Sequence, residues 1–174
     1  PIVLSHETSY GAETAQVSPD EKYLYWIPSG GNAINRIELD NDDARPEVVI
    51  GGRHTPIQPV SFAIDGKSLF WVESISTRGG PQARVRRAKL DGSSEETLAA
   101  FSDYPTGLAL DRESEFVYWS YRKPTARGDK KSGSIGRVNY AGDEQEDDLL
   151  KDDDGAYGVP SAVAVDPRGG KLFW

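Results

Sequence analysis

The 174-residue chain contains no cysteine, which excludes disulfides, thiolate nucleophiles and thiolate metal sites while leaving the redox compartment open. Methionine is absent too, even at position 1, and the expectation is a molecule that begins after a processing or cleavage event as a piece of something larger. No apolar run approaches the roughly 20 residues needed to span a bilayer as a helix. The opening Pro1-Ile2-Val3-Leu4-Ser5-His6-Glu7 does not read as a signal peptide, and no membrane insertion is expected. Positive charge is short: 20 Lys and Arg against 28 Asp and Glu leave a formal charge of −8, which argues against nucleic acid, whose phosphates need cationic neutralisation. Neither a Gly-x-Ser-x-Gly elbow nor a Gly-x-x-x-x-Gly-Lys-Ser/Thr phosphate loop occurs.

What is present is a repeat. All four tryptophans close the same kind of run: Tyr23-Leu24-Tyr25-Trp26, Ser68-Leu69-Phe70-Trp71, Phe116-Val117-Tyr118-Trp119 and Lys171-Leu172-Phe173-Trp174, spaced 45, 48 and 55 residues apart. Each follows an aspartate that ends a β-rich run, Asp20, Asp65, Asp111 or Asp166, by 6, 6, 8 and 8 residues. An aliphatic run, an Asp turn and an aromatic run together read as a hairpin of two strands, A and B. Their continuous apolar character suits sheets covered on both faces. A more polar third strand follows the first three tryptophans, at 35–40, 86–92 and 136–142, and a fourth is expected at 46–50, 95–99 and 147–150. A period of about 45 residues with four strands per unit is the mark of a β-propeller.

The expected architecture is therefore all-β, with four-stranded antiparallel blades. Residues 8–50, 51–100 and 101–150 each make one blade, 151–174 begin a fourth with strands A and B, and 1–7, through Ile2-Val3-Leu4, supply an outer closing strand. A fourth blade left as a hairpin would expose large apolar side chains worth about 1.5–3 kcal/mol each when buried. A companion polypeptide, a second copy in a homodimer, or self-closure into a four-bladed ring could cover them.

The Tyr-Trp ending of strand B, with Arg86-Arg87-Ala88-Lys89-Leu90-Asp91-Gly92, Glu95-Glu96-Thr97-Leu98 and Pro105-Thr106-Gly107-Leu108-Ala109-Leu110-Asp111, resembles the YWTD repeat of the low-density lipoprotein receptor family. The likeness covers nearly the whole chain and is best over 84–119. The Thr-Asp that follows Tyr-Trp in that family is replaced by Ile27-Pro28, Val72-Glu73 and Ser120-Tyr121, so contacts of that aspartate do not carry over. The resemblance implies a ring of about six blades, a companion of roughly two blades, and a secreted, periplasmic or cell-surface setting.

In such a ring the connections from strand B to C and from D to the next A share one end, the candidate binding face. The B-to-C connections are expected to be loops that lengthen from 28–32 through 72–83 to 120–134, and long loops often carry function. The last carries five basic residues and one acid; Arg122 and Lys123, nearest the strand, are candidates for steering an acidic partner. Tyr10, His54, Tyr104 and Tyr157 fall on the D-to-A connections at the channel mouth, where rings with polar tips suit a small ligand or peptide. His54 is also the one plausible imidazole base, since His6 falls on the outer strand.

Asp40-Asn41-Asp42-Asp43 and Asp152-Asp153-Asp154-Gly155 offer hard oxygen ligands, with Asp152 and Asp154 the candidates for calcium, but neither run has the spaced ligands of a calcium loop. The functional expectation is a non-enzymatic binding module without a cofactor, its partner a protein or a small ligand. The alternative is a metal-dependent lactonase or esterase in the central channel, for which Glu13 and Glu73 are the available acids. Three B-to-C segments so unlike one another argue against repeated carbohydrate pockets.

Overall fold

The computed structural model describes residues 12–52, 57–123, 132–150 and 158–174. They form antiparallel sheets in strict chain order. The first contains β1 (Ala12–Val17), β2 (Tyr23–Pro28), β3 (Ala33–Glu38) and β4 (Glu47–Gly51). The second contains β5 (Pro59–Ile64), β6 (Ser68–Thr77), β7 (Gly80–Lys89) and β8 (Glu96–Phe101). The third contains β9 (Tyr104–Asp111), β10 (Phe116–Arg122), β11 (Gly133–Asn139) and β12 (Gln145–Glu146). The fourth is the hairpin of β13 (Ala164–Asp166) and β14 (Lys171–Phe173).

The recurring aspartate makes each first turn. Asp65 Oδ1 accepts the backbone N–H groups of Lys67 and Ser68 at 2.7 and 2.6 Å, Asp111 Oδ1 those of Glu113 and Ser114, both at 3.0 Å, and Asp166 Oδ1 that of Gly169 at 3.0 Å. A carboxylate reaching two or three residues forward mimics a backbone turn. In the two longer turns the residue four after the aspartate, Glu115 or Gly170, takes a positive φ of 56° or 62° and turns the chain back into the aromatic strand.

The sheets pack face against face, with their first strands as neighbours: β1 against β5, β5 against β9, β9 against β13. At the first junction Tyr25, Ile27, Ile34 and Ile50 meet Phe62, Ile64, Leu69, Trp71 and Ala88. At the second, Phe70, Val72, Val85 and Ala99 meet Leu108, Val117, Trp119 and Val138. At the third, Tyr118 and Ile135 meet Val163, with Val165 and Leu172 alongside. Trp71 and Trp119 are fully buried, and their burial between sheets is the physical reason for the repeat. The junctions are also hydrogen-bonded: Tyr25 Oη and Arg36 Nη1 both donate to the Leu90 carbonyl at 2.9 Å. At the next junction the equivalent contact is aromatic, Phe70 against Tyr140 at 4.5 Å between ring centroids. Gly92 (φ 84°) sits so close to the first sheet that a Cβ there would lie 2.2 Å from the Val49 carbonyl oxygen.

On the outer strand pair one ion pair recurs at the same register: Arg36 with Glu47, Arg87 with Glu96, and Arg137 with Glu146.

Two expectations are corrected. Residues 72–83 are not a long loop: β6 and β7 pair continuously out to Thr77 and Gly80, leaving Arg78-Gly79 as the turn. The positive φ of Gly80, 113°, lets the chain reverse that sharply. The fourth strand of the third sheet is Gln145–Glu146 rather than 147–150, because Asp148 adopts φ 58° and breaks it. Past that break Leu149 N–H still donates to the Ile135 carbonyl at 2.8 Å. The expected outer strand at 1–7 lies outside the described residues.

Candidate binding face

The end of the stack formed by the β2–β3, β6–β7 and β10–β11 connections also receives the β4–β5 and β8–β9 connections. At this end Tyr104 opens β9, Arg122 closes β10, and the two are register partners. The Arg122 guanidinium lies 4.7 Å over the Tyr104 ring, and the ring remains 39% exposed. An arginine held over an aromatic face keeps its charge and donors while its position is fixed. Among the described residues no carboxylate forms an ion pair with Arg122.

Lys123 differs from its neighbour. Its Nζ lies 2.6 Å from Asp148 Oδ1, which also accepts the Tyr121 hydroxyl at 2.7 Å. Its backbone N–H closes the hairpin by donating to the Ser132 carbonyl at 2.9 Å. Burial raises the Asp103 carboxyl above its ordinary value, Lys123 partly offsets this, and Asp148 and Asp147 push it further up. Lys123 is thus engaged by acids of its own chain, chiefly Asp148 among the described residues.

At the same end of the stack a cavity of about 220 Å³ is lined by Ile75, Gln82, Ala83, Arg84, Ala100, Phe101 and Ser102. Two of its walls are the strand extensions of β6 and β7. The third is Phe101, which leads through the Ser102-Asp103 turn to Tyr104. Phe101 is anchored by stacking on Trp119 (5.3 Å, 22°) and by Tyr121 (5.6 Å).

Glu73 is buried within the second sheet. It is 4% exposed, accepts the Trp71 indole N–H at 3.1 Å, and faces Arg86 Nη1 at 3.9 Å. Arg86 in turn pairs with Glu95 at 3.0 Å and lies 5.3 Å over the Trp71 ring. Tyr10, His54, Tyr157, Asp152 and Asp154 lie outside the described residues, as does the Glu13 side chain. The structure therefore brings together Tyr104, Arg122 and Lys123, while Glu73 is engaged by Trp71 and Arg86.

Sequence reasoning missed Arg84, Phe101, Ile75 and Gln82. The signal that could have found them is Gly79-Gly80 between two runs of strand-forming length, a two-residue hairpin cue. Among the described residues no three His, Cys, Asp or Glu side chains gather as a metal site. The acidic run at 40–43 is a turn, in which Asn41 Oδ1 accepts the Asp43 N–H at 3.1 Å and Asn41 Nδ2 donates to Glu38 at 3.1 Å.

No family model matches the chain. A curated relative, low-density lipoprotein receptor-related protein 1 of Pyricularia oryzae, is 29% identical over 182 residues, covering 91% of this chain and 54% of that protein. The chain thus spans about half the length of the relative it matches. Among solved structures, the hydrazine synthase of Kuenenia stuttgartiensis superposes with a TM-score of 0.68 at 18% identity, over 92% of this chain and 48% of that one. An oligogalacturonate lyase in complex with manganese gives 0.56 at 15%, over 78% of this chain and 40% of that one. Tricorn protease gives 0.52 at 13%, over 79% and 14%. At these identities the solved structures speak for the fold alone. The chain is an all-β, propeller-like stack of antiparallel sheets, similar along most of its length to a low-density lipoprotein receptor-related protein.

Proposed function

We propose that this chain is a non-enzymatic binding module of a YWTD-type propeller, whose loop-bearing end recognises an acidic, partly apolar segment of a protein partner. The observation that carries the reading is Arg122, fixed on Tyr104 with no ion-pair partner among the described residues, at the same end of the stack as a cavity with Arg84 and Ile75 in its walls. A chain of net charge −8 that keeps on an aromatic platform a cation with no carboxylate partner among the described residues has a local means of attracting carboxylates. Rigid sheets hold that platform, and the segments between them can vary. The ring is completed by sheets beyond the four described, and the receptor-type resemblance supports a secreted, periplasmic or cell-surface setting.

No observation favours the metal-dependent hydrolase. Glu73, its candidate ligand among the described side chains, is held by Trp71 and Arg86.

The test is titration of the intact chain with a fluorescent peptide of alternating Glu and Leu, at low and high salt. Arg122→Glu is expected to weaken binding by about tenfold, and salt should weaken the wild type in the same direction. Equal affinity of wild type and variant would retire the assignment.

A further inference from the structure

The second sheet reaches further than the first. Its strands β6 and β7 have 10 residues each, against 6 in β2 and β3, and the hairpin they form continues past Phe101, where β8 ends opposite Ala83. Side chains opposite one another in register share a face, and so do alternate residues along a strand. Trp71, Glu73 and Ile75 of β6 therefore share one face with Arg86, Arg84 and Gln82 of β7. Ala100 of β8 joins them as the register partner of Arg84. At Trp71 the first sheet covers this face. Towards the hairpin tip the same face opens into the cavity of about 220 Å³, with Ile75, Gln82, Arg84 and Ala100 among its lining residues.

Arg84 is a cation that its own sheet leaves unanswered. Glu73, opposite it in register, has both oxygens engaged: Oε2 accepts the Trp71 indole N–H at 3.1 Å and Oε1 faces Arg86 Nη1 at 3.9 Å. On its other side Arg84 meets Ala100, whereas Arg36, Arg87 and Arg137 each meet a glutamate of the outer strand. Arg84 is exposed, and no carboxylate forms an ion pair with it among the described residues. A methyl group where the other rungs carry an acid leaves a charge to be matched and room to match it.

We propose that this cavity binds a small monocarboxylate with an apolar body, the carboxylate on the Arg84 guanidinium and the body against Ile75 and Phe101. A planar guanidinium grips a carboxylate through two parallel hydrogen bonds. Phe101 is braced by Trp119 and Tyr121, so the apolar wall is formed before the ligand arrives. Pockets for drug-sized ligands run roughly 300–1,000 Å³; this smaller one suits a smaller occupant. An added peptide strand is disfavoured, because Pro81, two residues before Ala83, has no N–H with which to continue the pairing of β8. Neither Arg122 nor Tyr104 takes part, so the contact stands apart from the acidic segment proposed for that pair.

The probe is phenylacetate, with phenylacetamide as its neutral counterpart, each titrated into the intact chain and followed by amide chemical shifts. Saturable binding of phenylacetate in the millimolar range is expected, with the shifts centred on Ile75, Gln82, Arg84 and Phe101. Arg84→Gln should weaken it about tenfold, and phenylacetamide should bind the wild type about as weakly. Ala100→Leu, which keeps the charge and fills the space beside it, should weaken phenylacetate as well. Both positions are exposed, so the fold should persist, as the unchanged remainder of the amide spectrum would verify. Arg122→Glu should leave phenylacetate binding unchanged while weakening the Glu and Leu peptide, which separates the two sites. No saturation by about 20 mM phenylacetate would overturn the proposal. So would equal affinity in the Arg84→Gln chain, equal affinity for the amide, or shifts centred on Tyr104 and Arg122.

Discussion

Trp71 donates its indole N–H to Glu73 at 3.1 Å, and both side chains are buried. The acid is thereby part of the packing, and removing it should be felt as lost stability. Glu73→Ala leaves a buried donor unsatisfied, a change that costs about 1–3 kcal/mol. Glu73→Gln retains an acceptor and should cost less. Urea denaturation of the two variants orders them, and an alanine variant as stable as wild type would show that the indole finds another partner.

The Leu90 carbonyl accepts from both Tyr25 and Arg36. Tyr25→Phe or Arg36→Met alone should each cost about 1 kcal/mol or less, since one donor remains. The double variant should cost more than the sum, as expected when two groups satisfy one acceptor. A double-mutant cycle on the unfolding free energy measures the excess, and strict additivity would mean that the donors act separately.

Gly136 lies under Trp119: a Cβ there would fall 2.3 Å from Cζ2 of the indole. The ring is fully buried and has no space to retreat into, so Gly136→Ala should destabilise by about 1–3 kcal/mol. Combining it with Trp119→Phe should recover part of that loss, and thermal unfolding of the single and double variants makes the comparison.

Two neighbouring aspartates should respond to pH in opposite senses. Burial would raise the Asp148 carboxyl, but Lys123 and Tyr121 outweigh it and hold the group below its ordinary value. Its stabilisation is then present above the unfolded value and is lost as pH falls through the lower, folded one. Asp103 is raised by burial and by Asp148 and Asp147, so charging it costs stability as pH climbs past the usual carboxylate range. At neutral pH, Asp148→Asn should therefore lower the urea midpoint and Asp103→Asn raise it. Both differences should fade in acid, where the wild-type carboxyls are protonated. Shifts of the same sign at neutral pH would contradict the arrangement.

Much of the fold could be read from the chain because its signals are local. An aspartate that turns the backbone and a tryptophan that must be buried recur at near-constant spacing, and the hairpins formed where they stand. The β6–β7 extension was harder to see. Ser74, Ser76, Gln82 and Arg84 look like a loop by polarity, whereas their pairing depends on a tight reversal at Arg78-Gly79 that no apolar alternation advertises. Asp148 shows the same difficulty, since a single left-handed residue shifts a strand that composition places two residues later. At the candidate site, Tyr104 and Arg122 could be named because they flank recognisable strands, but their stacking is a register relation visible only in the sheet. For Glu73, nothing nearby in sequence reveals that its partners are an indole and the guanidinium of Arg86.

The Arg36–Glu47, Arg87–Glu96 and Arg137–Glu146 rungs fasten the outermost strands with exposed charges, while the strands nearer the axis are fastened by buried rings. Exposed pairs contribute little and weaken with salt. Each sheet should consequently loosen from its rim inward, with amide protons in β4, β8 and β12 exchanging before those of β2, β6 and β10. Such a sheet can give at its periphery, in β8 and the end of β7, without disturbing the centre held by Trp71 and Trp119.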